Sequence, residues 1–154
     1  SYAKDGGSIT ILNPAPAQPL GENILKLCDF VTPNEIEAEQ ITGIPVKSVS
    51  DAEVAADKLL EKGASAAVIT LGEQGALFKD SKQIIHQPSF QVGPIVETTG
   101  AGDAFNGGLA VALAEEMPID KALRFACATA SISVTRPGTA PSMPDRNEID
   151  TLIT

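Results

Sequence analysis

Residues 97–108 read Glu97-Thr98-Thr99-Gly100-Ala101-Gly102-Asp103-Ala104-Phe105-Asn106-Gly107-Gly108, a glycine-rich turn that opens into a helical pattern with one acid at the junction. The free N–H groups and the dipole of a helix start favour an anion such as phosphate. Glycine lets that backbone approach a ligand with no Cβ in the way. A carboxylate in the same place repels a resting phosphate, so Asp103 needs another reason to stand there. Taking a proton from an attacking hydroxyl is such a reason. Together these residues describe a phosphoryl-transfer site. No Gly-Lys-Ser/Thr follows, so this is not a Walker loop, and Phe105 stands where the dinucleotide fingerprint needs its third glycine. A Gly-x-Ser-x-Gly nucleophile elbow is absent from the chain.

Strands alternating with helices must position this turn, and the sequence supplies them in that order. Residues 8–12 read as a strand, Asn13-Pro14-Ala15-Pro16-Ala17 as a proline-stiffened loop, 22–27 as a short helix and 29–31 as a brief strand. Thr32-Pro33-Asn34-Glu35 predicts a helix start with Thr32 as cap, Pro33 at the first helical position and Glu35 closing a capping box; Gly43 ends that helix. Ser50-Asp51-Ala52-Glu53 repeats the pattern, and Ala52, Ala55, Ala56, Leu59 and Leu60 form one apolar stripe up to the stop at Gly63. The apolar run 66–71 predicts a strand covered on both faces. Gly72-Glu73-Gln74-Gly75 turns the chain into 76–79, and Asp80-Ser81-Lys82 turns it back along 83–87 as a hairpin. Two helices rich in Ala and Gly follow the signature, over 101–115 and 119–134. The sum is a layered α/β fold with a mostly parallel sheet flanked by helices and a hairpin near the sheet edge.

A chain of 154 residues accommodates one α/β domain. Its 43% apolar and 20% charged content is that of a globular protein. The net charge of −9 argues against nucleic acid or an anionic membrane as partner. A polyphosphate must then be held by local backbone dipoles and cations, not by the overall field. The chain contains neither a run of apolar residues long enough for a transmembrane helix nor a signal-peptide pattern. Cys28 and Cys127 sit in apolar contexts with no disulfide framework or metal spacing, which places the chain in the cytoplasm. Ser1 stands where an initiator Met would, and a strand-like run starts within a few residues, so a piece of a longer chain is expected.

The pattern Thr-x-Gly-Ala-Gly-Asp followed by Phe-Asn-Gly-Gly resembles the second signature of the ribokinase-like (PfkB) carbohydrate kinases. The Leu-Asn-Pro-Ala-Pro-Ala run, Thr-Pro-Asn-Glu and Arg-Pro-Gly-Thr-Ala-Pro-Ser point to the ribokinase branch over its fructokinase and adenosine kinase cousins. Residues 11–152 resemble the C-terminal half of such a kinase, so residues 1–154 are expected to be the nucleotide-binding part of one kinase domain. The N-terminal half and its β lid, which in the family contribute sugar-binding residues and a homodimer contact, are missing from the sequence. The resemblance implies transfer of the ATP γ-phosphoryl to D-ribose. Asp103 would act as base and touch the sugar hydroxyl, and Gly100, Ala101 and Gly102 would supply the anion hole. An aspartate is too weak a base to ionise a resting alcohol, but it can orient it and accept the proton as the transition state forms.

Further positions follow from the same resemblance. Asn34 and Glu37 match an Asn-x-x-Glu element tied to phosphate and Mg2+; their spacing puts both on one helix face, with Glu37 acting through water. Thr70, Leu71, Gly72, Glu73, Gln74 and Gly75 match the nucleotide loop, where a strand ends and small residues leave room for ribose and adenine. A plain hairpin turn fits the same residues. Cys127 lies where relatives carry a side chain near adenine, and a buried packing cysteine fits it as well. Glu97, Thr99, Ser133, Arg136, Gly138 and Ser142 match the ligands of a monovalent cation, usually K+, with Glu97 in place of the family's Asp. His86 reads as an exposed strand residue, and Asn106 is equally able to face phosphate or to pack. The alternatives are another sugar or nucleoside kinase of the family, a catalytically silent nucleotide-binding fragment, and a phosphate sensor, for which Asp103 has no use. The isolated chain is expected to be inactive.

Overall fold

The computed structural model describes residues 2–16, 18 and 22–154. Ala17, at the end of the proline-stiffened loop, lies outside the described residues. The chain forms two compact units, Ser1–His86 and Gln87–Thr154.

The first unit runs α1 (Tyr2–Asp5), β1 (Ile11–Leu12), α2 (Glu22–Leu25), β2 (Phe30–Val31), α3 (Glu35–Thr42), α4 (Val49–Glu61), β3 (Ala66–Thr70), a 3-10 turn (Gly72–Gln74), β4 (Ala76–Asp80) and β5 (Ile84–Gln87). The five strands form one sheet in the order β1-β2-β3-β4-β5. Ile11 pairs with Phe30 and Phe30 with Ala66 in parallel, whereas β4 runs antiparallel to β3, with Ala66 opposite Asp80 and Thr70 opposite Ala76. The sheet is therefore mixed, not mostly parallel. The cause is local: the turn at 72–75 is too short for a crossover, so β4 can only return alongside β3.

Both predicted caps sit two residues away from their true positions. Asn34, not Thr32, caps α3: its Oδ1 accepts from the Glu37 N–H at 2.9 Å, and Glu37 Oε2 accepts from the Asn34 N–H at 2.9 Å. Thr32 and Pro33 instead link β2 to the cap, where the Pro33 carbonyl accepts from the Thr70 N–H at 3.0 Å and Asn34 bridges to Thr70. Ser48, not Ser50, caps α4 by accepting from the Asp51 N–H at 3.1 Å. Asp51 Oδ2 in turn accepts from the Ser48 hydroxyl at 2.8 Å, which fixes the earlier serine as the cap. The apolar stripe of α4 holds: Ala52, Ala55, Ala56 and Leu59 are buried against Val31, Ala67, Ile69 and Leu77, with Leu60 half-buried at the margin.

The first strands are shorter than predicted. Asp29 Oδ2 accepts from both the N–H and the hydroxyl of Thr10, at 2.9 and 2.8 Å, so side-chain bonds occupy backbone that a longer ladder would use.

The second unit is helical: α5 (Ala101–Ala114), α6 (Ile119–Ser133), a 3-10 turn (Ala140–Ser142) and α7 (Arg146–Ile153). The first two form an αα-hairpin tightly packed at Gly108; a Cβ there would lie 2.7 Å from Thr129 Oγ1 and 3.0 Å from Ala126 Cα. Phe105, Leu109 and Ala112 of α5, and Leu123, Phe125, Ala126 and Ile132 of α6, are buried in this unit. Among the described residues, no helix is long and apolar enough to cross a membrane.

Candidate active site

The start of α5 follows from one backbone conformation. Gly100 takes φ 84°, ψ 0°, a left-handed geometry that costs a residue with a Cβ, and it stands at the N-cap with no side-chain cap bond. Its Cα faces Thr139: a Cβ would lie 3.2 Å from Thr139 Cγ2, so the post-α6 loop closes over the turn. The Ala101 N–H is committed to the Thr98 carbonyl at 3.1 Å. Among the described residues, no backbone acceptor faces the N–H groups of Gly100, Gly102 or Asp103. The open donors are thus those of Gly100, Gly102 and Asp103, while Ala101 holds the turn. A Cβ on Gly102 would meet nothing within 4 Å, so this glycine leaves open space at the helix mouth.

Asp103 is exposed and lines a cavity of about 330 Å3 with Gly107, Val111, Phe125, Met143 and Arg146. Asn106 reaches back to the Gly102 carbonyl, its Nδ2 donating at 2.9 Å.

Two of the predicted cation ligands, Glu97 and Gly138, meet in a clasp. Glu97 Oε2 accepts from the Gly138 N–H at 2.8 Å, and the Val134 carbonyl accepts from the Val96 and Glu97 N–H groups at 2.8 and 3.2 Å. Ser133 and Ser142 are 3% and 1% exposed, and their hydroxyls donate to the carbonyls of Ala130 and Thr139 at 2.8 and 2.6 Å. Each hydroxyl spends its hydrogen on a carbonyl and keeps its lone pairs, as an oxygen ligand of a cation must. Thr99 is exposed. Arg136 pairs with Glu148 of α7 through both guanidinium ends, Nη1 lying 3.2 Å from Oε2. That hydrogen bonding raises the Arg136 value further and holds the Glu148 carboxyl below its usual range. The residue therefore has only its backbone carbonyl to offer a cation.

In the first unit, α3 and the end of β3 bring three expected elements together. The Asn34–Thr70 bridge sets the cap of α3 beside the last residue of β3, and a Cβ on Gly72 would lie 3.7 Å from Glu35 Oε1. Glu37 is 8% exposed and already gives Oε2 to the cap. Among the described residues, no three His, Cys, Asp or Glu side chains gather as metal ligands. A single carboxylate fits an ion such as Mg2+, which keeps most of its waters and takes phosphate oxygens from its nucleotide.

Cys127 is 4% exposed within α6, with Sγ 3.8 Å from the Gln87 carbonyl, and burial pushes its thiol up to about 12. Two contacts were not visible in the sequence. His86 is exposed on β5 as predicted, but its Nε2 lies 2.7 Å from the Gln74 carbonyl. Glu148 closes on Arg136; the Asp145-x-x-Glu148 spacing announces the cap of α7, whereas the distant arginine leaves no local signal.

Comparison with known proteins gives a consistent picture. The model of the pfkB family of carbohydrate kinases matches residues 1–146. The ribokinase of Haemophilus influenzae is 45% identical over 148 residues, covering 95% of this chain and 47% of the relative. The deoxyribokinase of Salmonella typhi is 40% identical over 144 residues, covering 93% and 47%. The solved structure of Arabidopsis thaliana ribokinase complexed with ribose and ATP superposes with a TM-score of 0.93 at 33% identity, covering 97% of this chain and 49% of that one. The chain spans about half the length of the curated relatives it matches.

Proposed function

The chain belongs to the pfkB family of carbohydrate kinases, and on that premise we propose that it is the nucleotide-binding, catalytic half of a ribokinase, transferring the γ-phosphoryl of ATP to the 5-hydroxyl of D-ribose. The observation that carries the reading is the start of α5, where open amides and one exposed carboxylate share a single helix turn.

Chemically, the sugar oxygen forms a bond to the γ-phosphorus as the bond to the β–γ bridging oxygen breaks. Asp103 orients the hydroxyl and takes its proton. The N–H groups of Gly100, Gly102 and Asp103 stabilise the charge that spreads over the transferring oxygens, and the Thr98 bond of Ala101 keeps the turn in shape for them. Asn34 and the segment Thr70-Leu71-Gly72-Glu73-Gln74-Gly75 take the nucleotide, with Cys127 offering at most the rim of a buried thiol to adenine. Glu37, through water, would hold Mg2+, which supplies neutralisation of phosphate charge when bound. Glu97, Thr99, Ser133, Gly138 and Ser142, with the Arg136 carbonyl, would hold K+ beside the turn; the free lone pairs of the two buried hydroxyls support that assignment. A homodimer of the full-length kinase in the cytoplasm completes the proposal.

Asp103→Asn in the full-length kinase tests the reading: turnover falls by at least about a hundred-fold, while ATP affinity stays within a few-fold. Equal turnover would remove Asp103 from the mechanism. The deoxyribokinase relative supports a second reading, a neighbouring sugar as acceptor, and kinetics across a panel of pentoses distinguishes the two.

A further inference from the structure

We propose that His86 is a positioning residue for the nucleotide loop, its imidazole holding the Gln74–Gly75 peptide in the orientation that receives the nucleoside. The inference rests on the reading of 72–75 as that loop and goes beyond it by naming what fixes the loop's shape.

The loop is built on two glycines. Gly72 has φ 51°, and Gly75 has φ 93° with ψ −126°, a conformation that residues with a Cβ avoid. Three internal bonds close the turn: Gln74 N–H to the Leu71 carbonyl at 2.9 Å, Gly75 N–H to the Gly72 carbonyl at 3.1 Å, and Leu71 N–H to the Gly75 carbonyl at 2.8 Å. None of them uses the Gln74 carbonyl. With glycine following it, the 74–75 peptide plane has conformations open to it that other residues would forbid, so it is the part of the β3–β4 connection that most needs an anchor.

His86 supplies that anchor from the neighbouring hairpin strand. Its Nε2 lies 2.7 Å from the Gln74 oxygen, a short distance for a nitrogen donor. A carbonyl oxygen only accepts, so the ring must donate from Nε2, which fixes its neutral tautomer. The side chain is exposed on β5 and is not part of the buried core, so its contact with the loop is separable from the packing that holds the sheet together. On the other flank, a Cβ on Gly72 would lie 3.7 Å from Glu35 Oε1, so the first turn of α3 borders the loop.

His86 is the single histidine of the chain, so its imidazole nitrogens give an unambiguous signal in long-range 15N–1H spectra. The expected spectrum is that of the Nε2–H tautomer, perturbed on addition of Mg-ATP; an Nδ1–H tautomer overturns the proposal. In titrations of the same chain with Mg-ATP, His86→Ala weakens binding about three- to ten-fold, the net worth of one hydrogen bond. His86→Gln, which keeps an amide donor, restores most of that loss, and the unfolding midpoints of both variants stay at the parent value. Gly75→Val separates the two levels of the argument. If it weakens Mg-ATP binding while His86→Ala does not, the loop reading stands and the role of His86 falls. If neither variant alters binding, or the parent chain takes up no Mg-ATP, the loop reading falls and His86 with it.

Discussion

Gly107 and Gly108 are adjacent in α5, yet substituting each by alanine should move stability in opposite directions. Both substitutions gain about 1 kcal/mol of helix propensity, because glycine in a helix interior loses the most backbone freedom on folding. At Gly107 nothing lies within 4 Å of the new Cβ, so the gain is kept. At Gly108 the new methyl would lie 2.7 Å from Thr129 Oγ1 and 3.0 Å from both Thr129 Cβ and Ala126 Cα. Carbon atoms pack at roughly 3.5–4.0 Å, so α6 must retreat by about 0.5–1 Å along a face where neighbouring contacts are lost as well. Overpacking of this kind costs about 1–3 kcal/mol, and backbone at Ala126 cannot rotate away as a side chain can. The two variants should therefore differ by about 2 kcal/mol, or several degrees in Tm for a chain of this size. Urea unfolding followed by far-ultraviolet circular dichroism measures both. Thr129→Ala removes the nearest atom, and in the Gly108→Ala background it should return part of the loss as a favourable coupling energy. Equal stability of the two single variants, or no coupling with Thr129, would refute the claim that this glycine sets the spacing of the hairpin that carries Asp103.

Gly102→Ala should leave the fold intact, since its Cβ meets no atom within 4 Å, yet lower turnover of the full-length kinase by about a hundred-fold by intruding where the phosphoryl group is proposed to sit; steady-state kinetics beside a melting curve checks both halves. The Arg136 guanidinium holds the Glu148 carboxyl below its usual range, as the Ser48 hydroxyl does for Asp51, so the unfolded chain takes up those protons first. Stability contributed by both groups is therefore full above about pH 4.5 and is lost as pH falls through their folded-state values. Denaturation midpoints should be flat in that respect from pH 6 to 8 and drop in the acid range, less steeply in Glu148→Gln. With burial pushing the Cys127 thiol up to about 12 and Cys28 buried as well, a disulfide reagent at pH 8 should label neither in the native protein and both in denaturant.

The glycine-rich turn and its helix were easier to read from sequence than the caps and contacts of the elements around them. A glycine-rich turn running into a helix is legible because its residues are contiguous, and the structure starts α5 there with Asp103 exposed in its first turn. The cap at Thr32 was misplaced because a local rule does not see the Thr70 N–H, which draws Pro33 into the sheet from 37 positions along the chain. The second cap failed for a simpler reason: serines at 48 and 50 both satisfy the pattern, and only the bond the Ser48 hydroxyl donates to the Asp51 carboxylate separates them. Arg136 with Glu148 and His86 with Gln74 are contacts between residues distant in sequence, and composition carries no trace of them. Sheet direction lay between these cases, because the tight turn was legible and its consequence for β4 followed from geometry alone.

The clasp between residues 96–97 and residues 134–138 turns the α5–α6 hairpin into a closed ring of chain. One end is shut by the turn at Glu116 and the other by three backbone-anchored hydrogen bonds. A protease nick at the exposed Glu115–Glu116 corner would therefore leave each helix still moored at its far end, and the severed pieces should travel together through gel filtration. The same corner is the natural place to open new termini in a circularly permuted variant, since the joint that aligns the start of α5 lies at the opposite pole.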